Sequence, residues 1–461
     1  MKIEKSTIIL TFLIGLSLCN LCTLSILTPQ SNSVKTYTKN IESSASFSVV
    51  ELWKFNNSVE YGKMSMSADG SYIAFANTTD ILCLNKTSNS TLWTYNLGSN
   101  TGHIDISADG EYILVGTNSP IIYLFNKSAT VPKQPIWTYN IGGAPRAVAK
   151  SLNGDYIAVT SGGTNDTLYL FNNSGPSGPQ LVWKYNITLG QFSHNGLAIS
   201  ATGEYIAATR IYEILLFNNS YADPKTPVWT FATDNDTGGV DISEDGYYIA
   251  AGEGYGDSNT GYIHLFNRTF DASKQPIWSY PTNCEMSSVV ISADGNYIAA
   301  SKITDNSPAI NTTLYFLSTT NSKPKATLWE YESERDNPDF RDIAITADGN
   351  YVAAGTGGVP TAYIFNSDAS ASKQPLWNER GNVVDIELSL DGRYMCINRD
   401  EFIGNGGEIS FYQVTLPSSS STDDDDDETK DVSIPFGNYY LLFLILGVVA
   451  LTILKRRKVT Y

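Results

Sequence analysis

All eight tryptophans of this chain fall at one position of a repeat. They are Trp53, Trp93, Trp137, Trp183, Trp229, Trp278, Trp329 and Trp377, spaced 40 to 51 residues apart. Each follows a Leu, Ile or Val, and all but Trp377 are followed two residues later by Tyr or Phe. A strand that is apolar on both faces cannot stay soluble alone, so neighbouring units must cover one another. A period of this length with four strand-like segments per unit predicts sheets arranged around an axis, a β-propeller.

Residues 103–139 show one unit. His103–Ser107 reads as a first strand, Glu111–Val115 as a second, Ile121–Phe125 as a third and Pro135–Tyr139 as a fourth carrying the tryptophan. Each is short, rich in Ile, Val, Tyr and Phe, and bounded by Gly, Asn, Asp or Pro. The nearly continuous apolar runs suit strands buried between neighbouring sheets. Between the first two strands lies a turn that recurs eight times: Asp69-Gly70, Asp109-Gly110, Asn153-Gly154, Thr202-Gly203, Asp245-Gly246, Asp294-Gly295, Asp348-Gly349 and Asp391-Gly392. Such dipeptides supply the positive φ that a tight hairpin requires. A Tyr stands two residues after every one of these glycines, from Tyr72 to Tyr394. One aromatic per blade at a fixed place reads as packing rather than as a binding face.

The turns and the tryptophan strands are offset. Val50–Phe55 has no inner strands before it, and the inner strands within 383–414 have no tryptophan strand after them. Residues 50–56 are therefore expected to pair with the last blade, which removes the free edges of an open array. The fold class predicted is all-β, an eight-bladed β-propeller. Seven blades is the alternative, because Trp377 lacks its following aromatic and Tyr412 stands where Phe-Asn is usual.

The Ser-x-Asp-Gly-x-Tyr-Ile-Ala-Ala pattern resembles the inner strands of WD40-type propellers. The stretch from the third strand to Leu-Trp-x-Tyr resembles the tryptophan-docked repeat of quinoprotein (PQQ-type) propellers. The similarity covers about residues 48–416. It implies the fold; propellers host many unrelated functions, so it leaves the ligand open. Quinoprotein enzymes of this kind carry an adjacent cysteine pair, an acidic base and calcium ligands in long insertions. This chain has no Cys-Cys pair and its repeats are short and regular. The leading expectation is a binding or scaffold module without cofactor or catalysis, with a quinoprotein-like oxidoreductase as the alternative.

The ends suggest how the propeller is displayed. Residues 1–30 read as a signal peptide or signal anchor: Lys2 and Lys5 precede an apolar run from Ile8 to Leu27. Residues 417–433 form a Ser/Asp-rich acidic stalk, with Asp423–Asp427 followed by Glu428. Residues 434–454 are long and apolar enough for a transmembrane helix, and 455–461 carry Lys455-Arg456-Arg457-Lys458, a cytoplasmic cluster. The expected location is a cell membrane crossed once, with the propeller outside and the C-terminus in the cytoplasm. The net charge of −17, with no basic stripe outside that tail, argues against a nucleic-acid partner. The partners expected are a protein, peptide or glycan at the cell surface, met by a monomeric ring. Outside the leader only Cys83, Cys284 and Cys396 remain, which make no disulfide framework.

Twelve Asn-x-Ser/Thr sequons fit an outside location: Asn56, Asn77, Asn85, Asn89, Asn126, Asn165, Asn172, Asn186, Asn218, Asn235, Asn267 and Asn311. Asn85, Asn126, Asn172, Asn218 and Asn267 share one repeat position, just after the third strand. Sugars there would sit on the face that carries the Asp-Gly turns and leave the opposite face open.

Catalytic signatures are sparse. There is no Gly-x-Ser-x-Gly, no His-Glu-x-x-His and no twelve-residue calcium loop. Of the three histidines, His264 falls within a third strand and is expected to be packed. Aligning the first strands by their turns gathers polar residues at the mouth of the central channel: Lys63, His103, Asp342 and Asp385 in one column, Arg146 and Arg341 in the next, His194 beside them, and Asp105 and Asp241 deeper. A concave mouth lined by mixed polar groups is the default ligand site of such a fold.

Overall fold

The computed structural model describes residues 46–417 apart from fourteen short internal stretches, namely 58–61, 129–131, 164–165, 176–177, 188–189, 256–259, 270–274, 283–285, 303–311, 321–326, 334–339, 358–360, 371 and 401–405. The expected leader, stalk, membrane span and basic tail lie outside the described residues, as do Asn165, Asn311 and Cys284.

Eight four-stranded antiparallel sheets follow one another along the chain. Blade 1 spans 63–96, blade 2 101–140, blade 3 145–186, blade 4 192–232, blade 5 236–281, blade 6 286–332 and blade 7 340–380. Blade 8 takes three strands from 382–415 and its outer strand, Ser48–Asn57, from the other end of the propeller sequence. Ser48 pairs Thr415 and Asn57 pairs Gly407, so the two ends of the repeat array share one sheet. Eight sheets set the seven-bladed alternative aside.

Residue size follows the geometry of a ring whose sheets diverge with radius. Close to the axis the second strands carry Ala-Ala or Ala-Val pairs, such as Ala207-Ala208, Ala250-Ala251 and Ala353-Ala354, all wholly buried. Further out, where adjacent sheets stand farther apart, five of the third strands place a Phe before their final Asn and the outer strands carry Trp. Five of the Trp pack on the Phe of the next blade: Trp93 on Phe125 at 5.5 Å, Trp137 on Phe171 at 5.2 Å, Trp183 on Phe217 at 5.6 Å, Trp229 on Phe266 at 5.2 Å and Trp329 on Phe365 at 5.3 Å between ring centroids. The aromatic two residues later joins the same partner, as Tyr95 does on Phe125 and Tyr331 on Phe365. These offset aromatic contacts add to the area buried.

The irregular last unit is a matched exchange within this scheme. Glu379 stands where the second aromatic should be, and Tyr412 where the Phe should be. The Tyr412 hydroxyl donates to Glu379 at 3.0 Å, Trp377 meets the Tyr412 ring edge-on at 5.6 Å, and buried Arg399 lies 3.2 Å from Glu379. A polar junction thus replaces an apolar one between blades 7 and 8.

The turns lock the ring at one face. In blade 1 the Ser67 hydroxyl donates to Asp69 and accepts from the Tyr72 amide, and Gly70 N donates to Ser67 O. The glycine is required twice over. Gly203 has φ of +72°, and a Cβ there would lie 2.4 Å from the Tyr156 ring of the preceding blade. The repeated Tyr is therefore the lid over the next blade's turn, a packing role. Beside the turns runs a closed circuit of inter-blade backbone hydrogen bonds: Ala68 to Ala108, Ala108 to Leu152, Leu152 to Ala201, Ala201 to Glu244, Glu244 to Ala293, Asp294 to Ala347, Ala347 to Leu390, and Leu390 back to Ala68.

Candidate functional site

Inner strands have no partner on the channel side, so their outward N–H groups would face the axis unpaired. Four of the channel carboxylates meet this need across blade boundaries. Asp105 accepts from Lys150 N at 2.7 Å, Asp241 from Ile291 N at 2.9 Å, Asp342 from Ile386 N at 3.0 Å and Asp385 from Met64 N at 2.8 Å. Each carboxylate clasps the first strand of the following blade. From the sequence all four are expected at a ligand site; the structure gives each of them an inter-blade backbone contact, and Asp105 lines neither of the cavities described below. Asp241, Asp342 and Asp385 border the channel, but each already holds a backbone amide.

The channel encloses a cavity of about 380 Å³, bordered by Lys63, His103, Asp241, Arg341, Asp342, Asp385 and Glu387 with Ile104, Val148 and Val240 between them. The ionisable groups shape one another. Burial pushes Asp241 up to about 6, partly offset by amides from Ile291 and Ile242. Burial also holds Asp342 well above the usual carboxylate range, with the neighbouring Asp385 charge adding to it. Glu387 is raised by burial and then by Asp385 and Asp342. Asp385 in turn raises Lys63. Burial lowers His103 to about 4, helped by the Lys63 charge. His103 is therefore neutral at pH 7, and Asp241, Asp342 and Glu387 part with their protons late.

A second depression, about 720 Å³, opens from the channel onto the face opposite the turns. Lys63, Gly102 and His103 border both spaces. Arg146, His194, Asn118 and the backbone of Gly143, Gly162 and Gly163 complete its wall. Arg146 stands at a bulge of its strand, where pairing skips from Pro145 to Ala147. A bulge re-aims a side chain, and here it turns the guanidinium toward the loops of blades 3 and 4. Arg146 Nη2 donates to Gln191 at 2.8 Å, Nη1 lies 3.0 Å from His194 Nε2, and Nε stands 3.0 Å from Asp166 as an ion pair. Asp166 is buried and fixed by the amides of Gly163 and Phe192. A Cβ at Gly162 would lie 2.8 Å from Arg146 Nε, and one at Gly143 would run into Gly162 O. The glycine-rich loop therefore makes room for an arginine. Burial and the Arg146 charge lower His194, so it too favours the neutral form.

Of the nine residues expected at the mouth, Lys63, His103, Arg146 and His194 share this depression. Arg341 lies apart on the blade 7 side, against Gly357. Asp166 and Gln191, which hold Arg146, were missed. They sit in loops whose spacing from the turn differs between blades, so aligning first strands could not bring them together. His264 is packed as expected, between Glu253 and Ser279 at 2.8 Å each.

The described sequons fall on both faces. Asn85, Asn126, Asn172, Asn218 and Asn267 end their third strands at the turn face, with Asn89 nearby. Asn77 and Asn186 end strands at the mouth face, Asn56 is the penultimate residue of one, and Asn235 precedes the first strand of blade 5 there. Among the described residues no group of three His, Cys, Asp or Glu side chains is placed to hold a metal.

No family model matches this chain, and no curated protein does. Solved structures do match. Sqt1 of Chaetomium thermophilum, bound to the N-terminus of ribosomal protein L10, is 11% identical with a TM-score of 0.62, over 79% of this chain and 99% of that one. The Dos1 propeller is 12% identical with a TM-score of 0.60, over 79% and 95%. The Cps50 (Swd1) propeller domain of Myceliophteria thermophila is 10% identical with a TM-score of 0.50, over 80% and 100%. At such identities the likeness establishes a WD40-type β-propeller fold and carries nothing about ligands.

Proposed function

We propose that this protein is a non-enzymatic binding module, displayed outside a cell membrane, that takes a protein or peptide partner at the channel-mouth face. The observation that carries this reading is the depression around Arg146. It is concave and open, and its polar groups are oriented by a buried carboxylate before any ligand arrives, which lowers the ordering cost of binding. A propeller of related fold bound to the N-terminus of a protein supports a peptide as the ligand class. The apolar run 434–454 followed by four basic residues supports anchorage with the propeller outward. A glycan partner would use the same mouth.

Site-specific photocrosslinking in intact cells tests the proposal. A crosslinker at Asn118 of the full-length protein should give discrete partner adducts that a crosslinker at Asp155, on the turn face, does not. His194→Ala with Gln191→Ala should cut those adducts at least tenfold. Adducts only from Asp155, or adducts indifferent to the double variant, would refute it. Labelling of surface lysines by a membrane-impermeant reagent reports independently whether the propeller faces out.

A further inference from the structure

The five sequons that follow a third strand share one chemistry. In each, the hydroxyl of the residue two further on donates to the asparagine Oδ1: Thr87 to Asn85 at 2.7 Å, Ser128 to Asn126 at 2.7 Å, Ser174 to Asn172 at 2.6 Å, Ser220 to Asn218 at 2.6 Å and Thr269 to Asn267 at 2.8 Å. Two of the five are held further by a buried lysine that donates to the same oxygen, Lys133 to Asn126 and Lys225 to Asn218. Every one of these contacts uses the oxygen. Among the described residues none of the five Nδ2 atoms donates to anything, and none belongs to the buried, unpartnered nitrogens. Each amide nitrogen therefore faces solvent.

The same corner occurs without a sequon. In blade 7, Asn366 is followed by Ser367 and Asp368; its Nδ2 donates to the Asp368 carboxylate while Lys373 holds its Oδ1. In blade 6, Ser318 takes the place and meets the Thr320 hydroxyl at 2.8 Å. The turn thus accepts several chemistries, and its own needs do not explain why five blades pair Asn with Ser or Thr. Asn235 gives the opposite case. Its Nδ2 donates to Glu253 at 3.0 Å and to Thr260 at 3.2 Å, and the hydroxyl of its own sequon, on buried Thr237, donates to the Arg210 carbonyl at 2.9 Å.

We infer that Asn85, Asn126, Asn172, Asn218 and Asn267 carry N-linked oligosaccharides, which form a one-sided sugar belt over blades 1 to 5, and that Asn235 carries none. The donor class is an oligosaccharide on a polyprenyl phosphate or pyrophosphate. Nδ2 bonds to the anomeric carbon, the carbon–oxygen bond to the phosphate breaks with the electron pair leaving on the phosphate oxygen, and one amide proton is released; nothing is oxidised or reduced. The oxygen-borne turn contacts survive the modification. The belt rests on the outward orientation proposed above and leaves the Arg146 depression uncovered.

The test is glycopeptide mass spectrometry on full-length protein purified from its native membranes, together with the surface-lysine labelling. Sugar on the five and bare Asn235 is the expected result. Bare asparagines at all five in a protein whose lysines are labelled from outside would overturn the belt alone; absence of both sugar and label would overturn the orientation and the belt together. Sugar on Asn235 would break the geometric rule. Two variants drawn from the protein's own repeats sharpen the reading. Ser174→Asp copies the blade 7 corner and should remove one glycan mass while the melting temperature stays within about a degree. Asp368→Ser creates a sequon at Asn366 with its Oδ1 already held, and should add one glycan mass; no gain there would count against the rule.

Discussion

The two faces of this propeller obey different constraints. At the turn face the eight blades repeat one another almost atom for atom: a Ser or Thr hydroxyl over the turn, a glycine at positive φ, a Tyr from the preceding blade, and a closed circuit of backbone hydrogen bonds. At the mouth the first strands begin differently, with Lys63, Gly102-His103, Arg146, His194 and Arg341 in different blades. The ring must close at one face, and closure tolerates few residue types. The other face bears no such demand, so its chemistry is free to serve recognition. If this division is right, damage to repeated positions should appear as lost stability, and damage to the mouth as lost binding.

The largest effect is expected from the tryptophans. Trp329 is 2% exposed and stacks on Phe316 at 4.9 Å and Phe365 at 5.3 Å. Trp329→Ala should cost about 3–5 kcal/mol in chemical denaturation. Trp137, which is only half-buried, should cost distinctly less. Equal losses would mean that position in the repeat, rather than burial, sets the energy.

Next comes the channel. Asp241 has a folded-state value of about 6 against 3.8 when exposed. The folded protein therefore binds the extra proton between these values. The stabilising contribution of this group is complete below about pH 4 and is lost as pH rises through about 6, a change of up to ~3 kcal/mol. Burial drives Asp342 and Glu387 in the same direction. His103 opposes them: its value of about 4 lies below the ordinary 6.5, so its contribution is complete above pH 6.5 and fades as pH falls toward 4. Asp241→Asn should flatten the loss of stability between pH 4 and pH 7 whatever its effect at any single pH. An unchanged slope would show that the carboxylate is solvated rather than buried.

Smaller again is the effect expected at two glycines, Gly203 in a turn and Gly98 in the loop between blades 1 and 2, which separate backbone strain from packing. Gly203→Ala meets both the positive φ and the Tyr156 ring, and about 2 kcal/mol is expected. Gly98 has φ of +68° with nothing within 4 Å of a new Cβ, so Gly98→Ala should cost about 1 kcal/mol. Thermal melts of the pair measure what the Tyr lid adds.

Much of the fold is legible in the chain because repetition turns one weak local signal into eight. Asp-Gly followed by Tyr, and Leu-Trp followed by an aromatic, each recur at fixed offsets, and each proves to be a contact with the next blade. The offset between turns and tryptophans reads directly onto the sheet shared by Ser48–Asn57 and Gly407–Thr415. The mouth is less legible. The inter-blade contacts of Asp105, Asp241, Asp342 and Asp385 could not be read in advance, because an unpaired strand-edge amide across a blade boundary leaves no mark in a sequence. Asp166 and Gln191 escape for a related reason: their contact with Arg146 spans 20 and 45 residues through loops that have no counterpart in other blades. Periodicity exposes what every blade shares and hides what one blade does alone.

The smallest effect on stability is expected where the effect on function should be greatest. His194 is exposed, and its only described partner is Arg146 Nη1. Its loss creates no cavity and strands no buried group, since Arg146 keeps Gln191 and the Asp166 ion pair. His194→Ala should therefore change unfolding free energy by no more than about 0.5 kcal/mol. The imidazole nevertheless lines the depression beside Arg146, so its loss removes a polar group that a partner seated there would meet. Partner adducts should fall while the melt is unchanged. A variant that lost stability and kept its adducts would reverse the division between the two faces, because it would make the mouth a structural element and send the search for the partner site to the turn face.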